Sequence, residues 1–301
     1  MDVKQLRYFA AVVETGSVSK AALKLAISQP SLSQQIASME DELGAQLLLR
    51  SPSGVRPTHA GDTLYRHAHT ILKQFEQMRG EVSLGEHNEV GHVAVGLPTS
   101  VAAVIAVPLF SVVRSTYPGI KLEIFESMSG YLVELLANGR LDMAILFRDI
   151  ATRGMIVTPL FNERLSLYGA SGIGNVGSES IALAELSGVP LVLPGQGSGL
   201  RVLVERAFAR EGLALNVVAD IDSLPTMLSI AEAGDVGTIL SGALGRLHRS
   251  QAISRRLVSP SLERALSLCV PTAIPQNAAS RAVQTTIQEL VLQHADIWDA
   301  V

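Results

Sequence analysis

The sequence predicts an α + α/β protein in three parts: a small helical head with a hairpin wing, a long connecting helix, and an α/β body. Three observations carry that reading. Up to residue 90 the apolar residues recur at helical spacing, with one Pro/Gly-punctuated break at 51–57. Beyond residue 90, short apolar runs alternate with helical stretches and glycine turns, the pattern of an α/β fold with a largely parallel sheet. Between the two parts, one helix carries apolar residues at spacings of 4, 3, 4, 3 and 4, a heptad seam.

The composition narrows the choice. With 301 residues, 48% hydrophobic and 17% charged, the chain has room for about two ordinary domains and is neither disordered, collagenous nor a charge-rich coiled coil. The single cysteine, Cys269, excludes an intramolecular disulfide and a cysteine-based zinc cluster, and suits a reducing compartment. A net charge of −4 gives no whole-chain affinity for nucleic acid, so any contact with DNA must be local. Residues 1–9 include Asp2, Lys4, Gln5 and Arg7 and so form no apolar signal core. The longest apolar stretch, 101–113, is interrupted by Pro108 and Ser111 and falls short of the roughly 20 residues a bilayer requires. A cytoplasmic protein without a membrane partner is expected.

In the head, Leu6, Phe9, Ala10 and Val13 mark one face of a first helix. Gly16 breaks the chain, and Ser17 is placed to cap a short helix ending near Leu25. Ser28 can cap the next helix, with Pro30 in its first turn; Leu32, Ile36, Met39 and Leu43 form its apolar stripe, and Gly44 ends it. Short helix, tight turn, second helix is helix-turn-helix geometry. Pro30, Ser33, Gln34 and Ala37, with Ser38 beside them, make an uncharged patch opposite the stripe. A major groove accepts such a face, and glutamine can pair bidentately with adenine. Glu40, Asp41 and Glu42 would repel phosphates, so the N-terminal half of the helix must enter first. The alternative is an ordinary solvated face of a small helical bundle.

Residues 46–50 and 55–56 flank the turn-rich segment 51–54 as in a hairpin wing, with Arg50 and Arg56 placed to meet phosphates. Residues 1–60 hold six basic and five acidic side chains, so affinity would come from placement and duplication rather than bulk charge. Thr58 can cap the long helix, whose seam is Leu64, Ala68, Ile71, Phe75, Met78 and Val82. Paired with a second copy, that seam would tie two heads together to suit a two-fold DNA site. In the body, 92–96, 120–125, 142–147, 191–193 and 236–240 read as strands.

The run from Leu6 to Gly61 resembles the LysR-type transcriptional regulators. It carries Leu6-Arg7-Tyr8-Phe9, Gly16-Ser17, Ala21-Ala22, Ser28-Gln29-Pro30-Ser31-Leu32-Ser33, Ile36, Leu43-Gly44, Arg50 and Thr58 with Ala60-Gly61, in order and at the family's spacing. Within the family the chain is similar to the nitrogen-assimilation-control branch. The resemblance implies a winged helix-turn-helix at 1–58, a linker helix at 59–90 and a periplasmic-binding-protein-like regulatory domain at 91–301, with lobe I from 91–161 plus 267–301 and lobe II from 162–266. It implies a homodimer or homotetramer on pseudo-palindromic promoter DNA, with RNA polymerase as a further partner. Base-contacting positions correspond to Gln29, Pro30, Ser33 and Gln34, and backbone contacts to Ser28, Ser31, Arg50 and Arg56. Many relatives carry a basic residue where Gln34 stands, which bears on the base read.

In such a body a small, anionic effector would sit between the lobes, at strand ends and helix N-termini. Thr99, Ser100, Ser127, Ser129 and Phe147 are the expected lining, with Arg201 a charge partner; the alternative is that these hydroxyls merely cap helices. No cofactor and no metal are expected. An enzyme is disfavoured: the glycine loop 195–199 lacks a following lysine, no Gly-x-Ser-x-Gly elbow occurs, and His67 and His69 have no metal-binding spacing. One alternative is a regulator of the same fold that acts without any effector; a remoter one, a solute-binding transport protein, would not need the helical head.

Overall fold

The computed structural model describes residues 1–52, 54–84, 89–147, 154–169, 180–247, 253–257, 261–272 and 275–298. The head comprises α1 (Val3–Thr15), α2 (Val18–Lys24), α3 (Gln29–Leu43), and the antiparallel wing β1 (Leu48–Ser51) and β2 (Gly54–Pro57), followed by α4 (His59–Leu84). Local chemistry sets these boundaries. Asp2, Ser17 and Ser28 each accept a backbone N–H of the helix they open, and Gly16 and Gly44 close α1 and α3 in the left-handed region. Phe9, Val12, Leu32, Ile36, Met39 and Leu47 fill the core between the helices. Leu43, expected in that stripe, is instead 43% exposed at the end of α3.

Ala68 requires a correction. It packs into the head's own core with Tyr65 and Leu72 and is completely buried, so it is not available to a second copy, whereas Leu64 packs on that core but is only half-buried. The head's packing therefore runs past residue 58 into α4. A heptad period suits an intramolecular groove as well as a partner helix, and α1 supplies the groove here. Ile71, Met78 and Val82 stay exposed, and Phe75 is half-buried.

The body is built from β3 (Gly91–Leu97), α5 (Thr99–Thr116), β4 (Ile120–Glu126), α6 (Ser129–Ala137), β5 (Met143–Phe147), β6 (Met155–Gly169), β7 (Ser180–Ile181), β8 (Pro190–Leu193), α7 (Gly199–Arg210), β9 (Asn216–Asp220), α8 (Leu224–Ala233), β10 (Thr238–Ser241), α9 (Gly242–Leu247), β11 (Ile253–Leu257), β12 (Glu263–Pro271) and α10 (Ala278–Gln293). The main sheet runs β4-β3-β5-β12-β6-β11-β7, with β10 also on β6. It is mixed rather than largely parallel: β4, β3 and β5 are parallel, whereas β12 pairs antiparallel with β5 and β6, and β10 and β11 pair antiparallel with β6. Strands β6 and β12 run side by side between the lobes. Their ladder is interrupted by a bulge between Leu266 and Ser267, opposite Phe161 and Pro159. Proline lacks the N–H a regular ladder needs and is tolerated at such a bulge.

The lobes have separate cores. One centres on Val95, Ile105, Leu109, Leu268 and Ile287, the other on Leu167, Leu191, Val204, Phe208 and Met227. Helix α5 is long and apolar enough by composition to cross a membrane, but it lies in the first core, packed against α10 and β4.

Candidate DNA-reading face and effector cleft

Helix α3 turns Leu32, Ile36 and Met39 inward and leaves Gln29, Pro30, Ser31 and Gln34 exposed, with Ser33 half-buried among them. The Ser28 hydroxyl accepts the Ser31 N–H at 3.3 Å. The ridge thus offers amides, hydroxyls and a helix N-terminus, and no charge. Arg50 and Arg56 are exposed on the wing, and neither forms an ion pair among the described residues. The wing is seated tightly: the Val55 N–H donates to the Gly16 carbonyl at 2.8 Å. Glu40, read in the sequence as a phosphate repellent, accepts the N–H groups of Leu47 at 2.7 Å and Leu48 at 3.2 Å, and so fixes the start of the wing.

Behind this face, charged pairs lock the head to α4 and α4 to the body. Arg7 meets Glu76 at 2.7 Å, and Glu14 lies 3.3 Å from the His69 ring and 2.9 Å from Lys24. His69, with Lys24 assisting, outweighs burial and holds the Glu14 carboxyl down at about 2. Lys73 reaches Asp142 of the body at 2.6 Å, while Asp142 also accepts the Ala94 N–H at 2.8 Å. These residues line a crevice of about 870 Å³ between head, α4 and body. Apart from Arg140, its charged side chains pair with one another, as in a seam between parts.

The cleft between the lobes, about 570 Å³, is different. Thr99, Ser100, Ser127, Ser129 and Phe147 all line it, joined by Gln196, Ser198, Arg206 and Asp222 from the other lobe. None of the four predicted hydroxyls caps its helix. The cap positions of α5 and α6 are Pro98 and Met128, which make no side-chain cap bond, and Ser198 at the start of α7 makes none either. Ser100 is only 2% exposed, and its hydroxyl has no hydrogen-bond partner among the described residues. Three helix N-termini therefore face one cavity with their N–H groups unclaimed by side chains, a setting that favours negative charge.

Arg201 does not take part. It is buried on the inner face of α7, bonded to Glu205 at 2.6 Å and Asp220 at 2.8 Å, and is absent from the cleft lining. Burial works against its charge, but hydrogen bonds to the two carboxylates outweigh this and push its pKa further up. Its spacing to Val204 and Phe208, three and seven residues on, was the sequence signal that it faces the core. What sequence reasoning missed is Arg264, whose guanidinium carbon lies 3.3 Å over the Phe147 ring at the cleft floor.

A winged helix-turn-helix head, joined by a long helix to a hinged two-lobed body, is the build of a DNA-binding transcriptional regulator. The family described as "Bacterial regulatory helix-turn-helix protein, lysR family" matches residues 3–62, and that described as "LysR substrate binding domain" matches residues 86–291. The nitrogen assimilation regulatory protein nac of Klebsiella aerogenes is 34% identical over 97% of this chain and 95% of its own length. Its counterpart in Escherichia coli K12 is 33% identical over the same shares. A full-length OxyR variant from Pseudomonas aeruginosa shares the fold with a TM-score of 0.77 at 23% identity, covering 97% of this chain and 95% of that one. CbnR complexed with its target DNA gives 0.58 at 21%, covering 96% and 99%. The chain belongs to the LysR family of transcriptional regulators, on the branch that includes the nac proteins.

Proposed function

We propose that the protein binds pseudo-palindromic promoter DNA as a homodimer or homotetramer in the cytoplasm and regulates transcription in response to a small effector between its lobes. In this reading Gln29, Pro30, Ser33 and Gln34 meet base edges, while Ser28, Ser31, Arg50 and Arg56 meet phosphates. The observation that carries it is the exposed, uncharged N-terminal ridge of α3, flanked by wing arginines that form no ion pair among the described residues. Residues 59–90 serve as the linker, pairing with a second copy through Leu64, Ile71, Phe75, Met78 and Val82, of which Ile71, Met78 and Val82 are solvent-exposed. Thr99, Ser100, Ser127, Ser129 and Phe147 hold the effector. Its target genes belong to nitrogen assimilation, a reading supported by the likeness to the nac proteins.

Selection of bound duplexes from a random pool tests the DNA assignment. A recurring two-fold motif is expected, and Gln34→Ala relaxes one position in each half-site by about 1–3 kcal/mol. Arg50→Ala weakens all sequences alike and lowers the salt slope by about one. Enrichment of no motif overturns the reading. Met78→Asp with Val82→Asp, both outside the head's core, is expected to give monomers on a sizing column; retained dimers remove those positions from the interface.

A further inference from the structure

The floor of the cleft is formed where β6 and β12 cross between the lobes, and their register sets four charges against one another. Glu163 faces Arg264 across the ladder, and Arg164 faces Glu263 one step along. The two pairs occupy opposite faces. Arg164 and Glu263 lie 3.8 Å apart on the more open side, with side chains 41% and 32% exposed. Glu163 is completely buried, and both its oxygens are taken: one by the Arg264 Nε–H, the other by the Ser241 hydroxyl at 2.7 Å.

Arg264 is thus held at three points. Its Nε is bonded to Glu163, its plane lies on Phe147, and its backbone belongs to a strand common to both lobes. The terminal nitrogens, Nη1 and Nη2, make no hydrogen bond to a described residue, and Arg264 lines the cavity. A fixed guanidinium with a free two-nitrogen edge matches one carboxylate bidentately. The unclaimed N–H groups of α5 and α6 and the Ser100 hydroxyl lie along the same cavity.

We infer that Arg264 reads the charged group of a small organic monocarboxylate in the cleft, and that Glu163 is its positioning residue, limiting the site to one negative charge. This rests on the cleft being the effector site. The limit follows from the balance of charge: Glu163 already neutralises Arg264, so the attraction left for a ligand comes from the fork geometry and from partial charges of about +0.5 at each helix N-terminus. A second carboxylate would find Asp222 on the cavity wall. Because Ser241, Glu163 and Arg264 link β10, β6 and β12, a ligand on Arg264 acts directly on the strands about which the lobes turn.

The test is calorimetric titration of the full-length protein with propionate (one negative charge), succinate (two) and propionamide (none). Wild type is expected to prefer propionate to both others. Arg264→Lys keeps the charge and ion pair but loses the fork, and lowers propionate affinity about tenfold; Arg201→Lys leaves it unchanged. Glu163→Gln removes the neutralising charge and shifts preference toward succinate by about tenfold, a change that mere loosening of the fold would not produce. Equal binding by wild type and Arg264→Lys overturns the assignment of Arg264 and leaves the cleft standing as a site. Propionate binding that Ser100→Ala with Ser127→Ala does not weaken shows a site elsewhere, and overturns both. Equal binding of propionate and propionamide overturns charge reading, and binding of none of the three overturns the carboxylate class and the proposal with it.

Discussion

The N-terminus of α3 and those of α5, α6 and α7 present the same backbone groups in opposite states. Helix α3 is closed by its own Ser28, as α1, α2, α8 and α10 are closed by Asp2, Ser17, Ser223 and Asn277. The three helices that open on the cleft carry no such side-chain bond. A capped terminus is complete within the chain and needs nothing else for stability. An uncapped one, gathered with two more around a cavity, leaves donors that only solvent or a ligand can use. The head is therefore built to be rigid before it meets DNA, and the cleft is left open at some cost in stability.

If the head is self-contained, its tightest internal contact should carry the largest effect of a single substitution. Gly61, in the first turn of α4, is that contact: a Cβ there would stand 2.0 Å from the Leu47 carbonyl oxygen. Backbone cannot yield as a flexible side chain can, so α4 would have to lift from the wing. Gly61→Ala is expected to destabilise the head by about 3 kcal/mol or more. Thermal unfolding should show this as a separate early loss of the head, with the body's transition unmoved. A shift below about 1 kcal/mol would mean that head and α4 are only loosely docked.

The seam behind the head should respond to acid. The Glu14 carboxyl falls from an ordinary value of 4.5 to about 2 in the folded chain. A depressed folded pKa contributes stability above the unfolded value, and that contribution is lost as pH falls from 4.5 toward 2. Glu14→Gln is expected to lower stability by about 1–2 kcal/mol at neutral pH. The difference from wild type should narrow through that window and vanish below it. Parallel stability curves for the two proteins from neutral pH down through that window would remove the ionic role of Glu14.

These regions were not equally legible in the sequence. The head was readable because its determinants are local: Ser17, Ser28 and Thr58 act within three residues of themselves, and the stripe through Leu32, Ile36 and Met39 obeys one helical period. Local spacing also misled. It gave Ala68 to a partner helix, because a seven-residue period does not say which surface fills the groove. In the cleft, the serines and threonine were legible as residues that follow strands and open helices. Glu163 and Arg264 were not: they meet only because β6 and β12, 101 positions apart, adopt one register. Pro159 within β6 further disguised the strand.

The smallest effects give the sharpest test of the comparison between closed and open helix ends. Ser28→Ala removes a working cap and is expected to cost about 1 kcal/mol. Ser100→Ala, a similarly small change at a far more buried residue, should shift stability by no more than about 0.5 kcal/mol. The reason is that Ser100 makes no hydrogen bond to a described residue and lines the cavity, so its hydroxyl is left to the solvent there rather than to a protein acceptor. Replacing it with a methyl group breaks no bond within the described protein. Denaturant titrations of the two variants decide the matter. A loss of about 1 kcal/mol or more at Ser100 would show that the hydroxyl already stabilises the empty cleft, and closed and open termini would then no longer differ in kind.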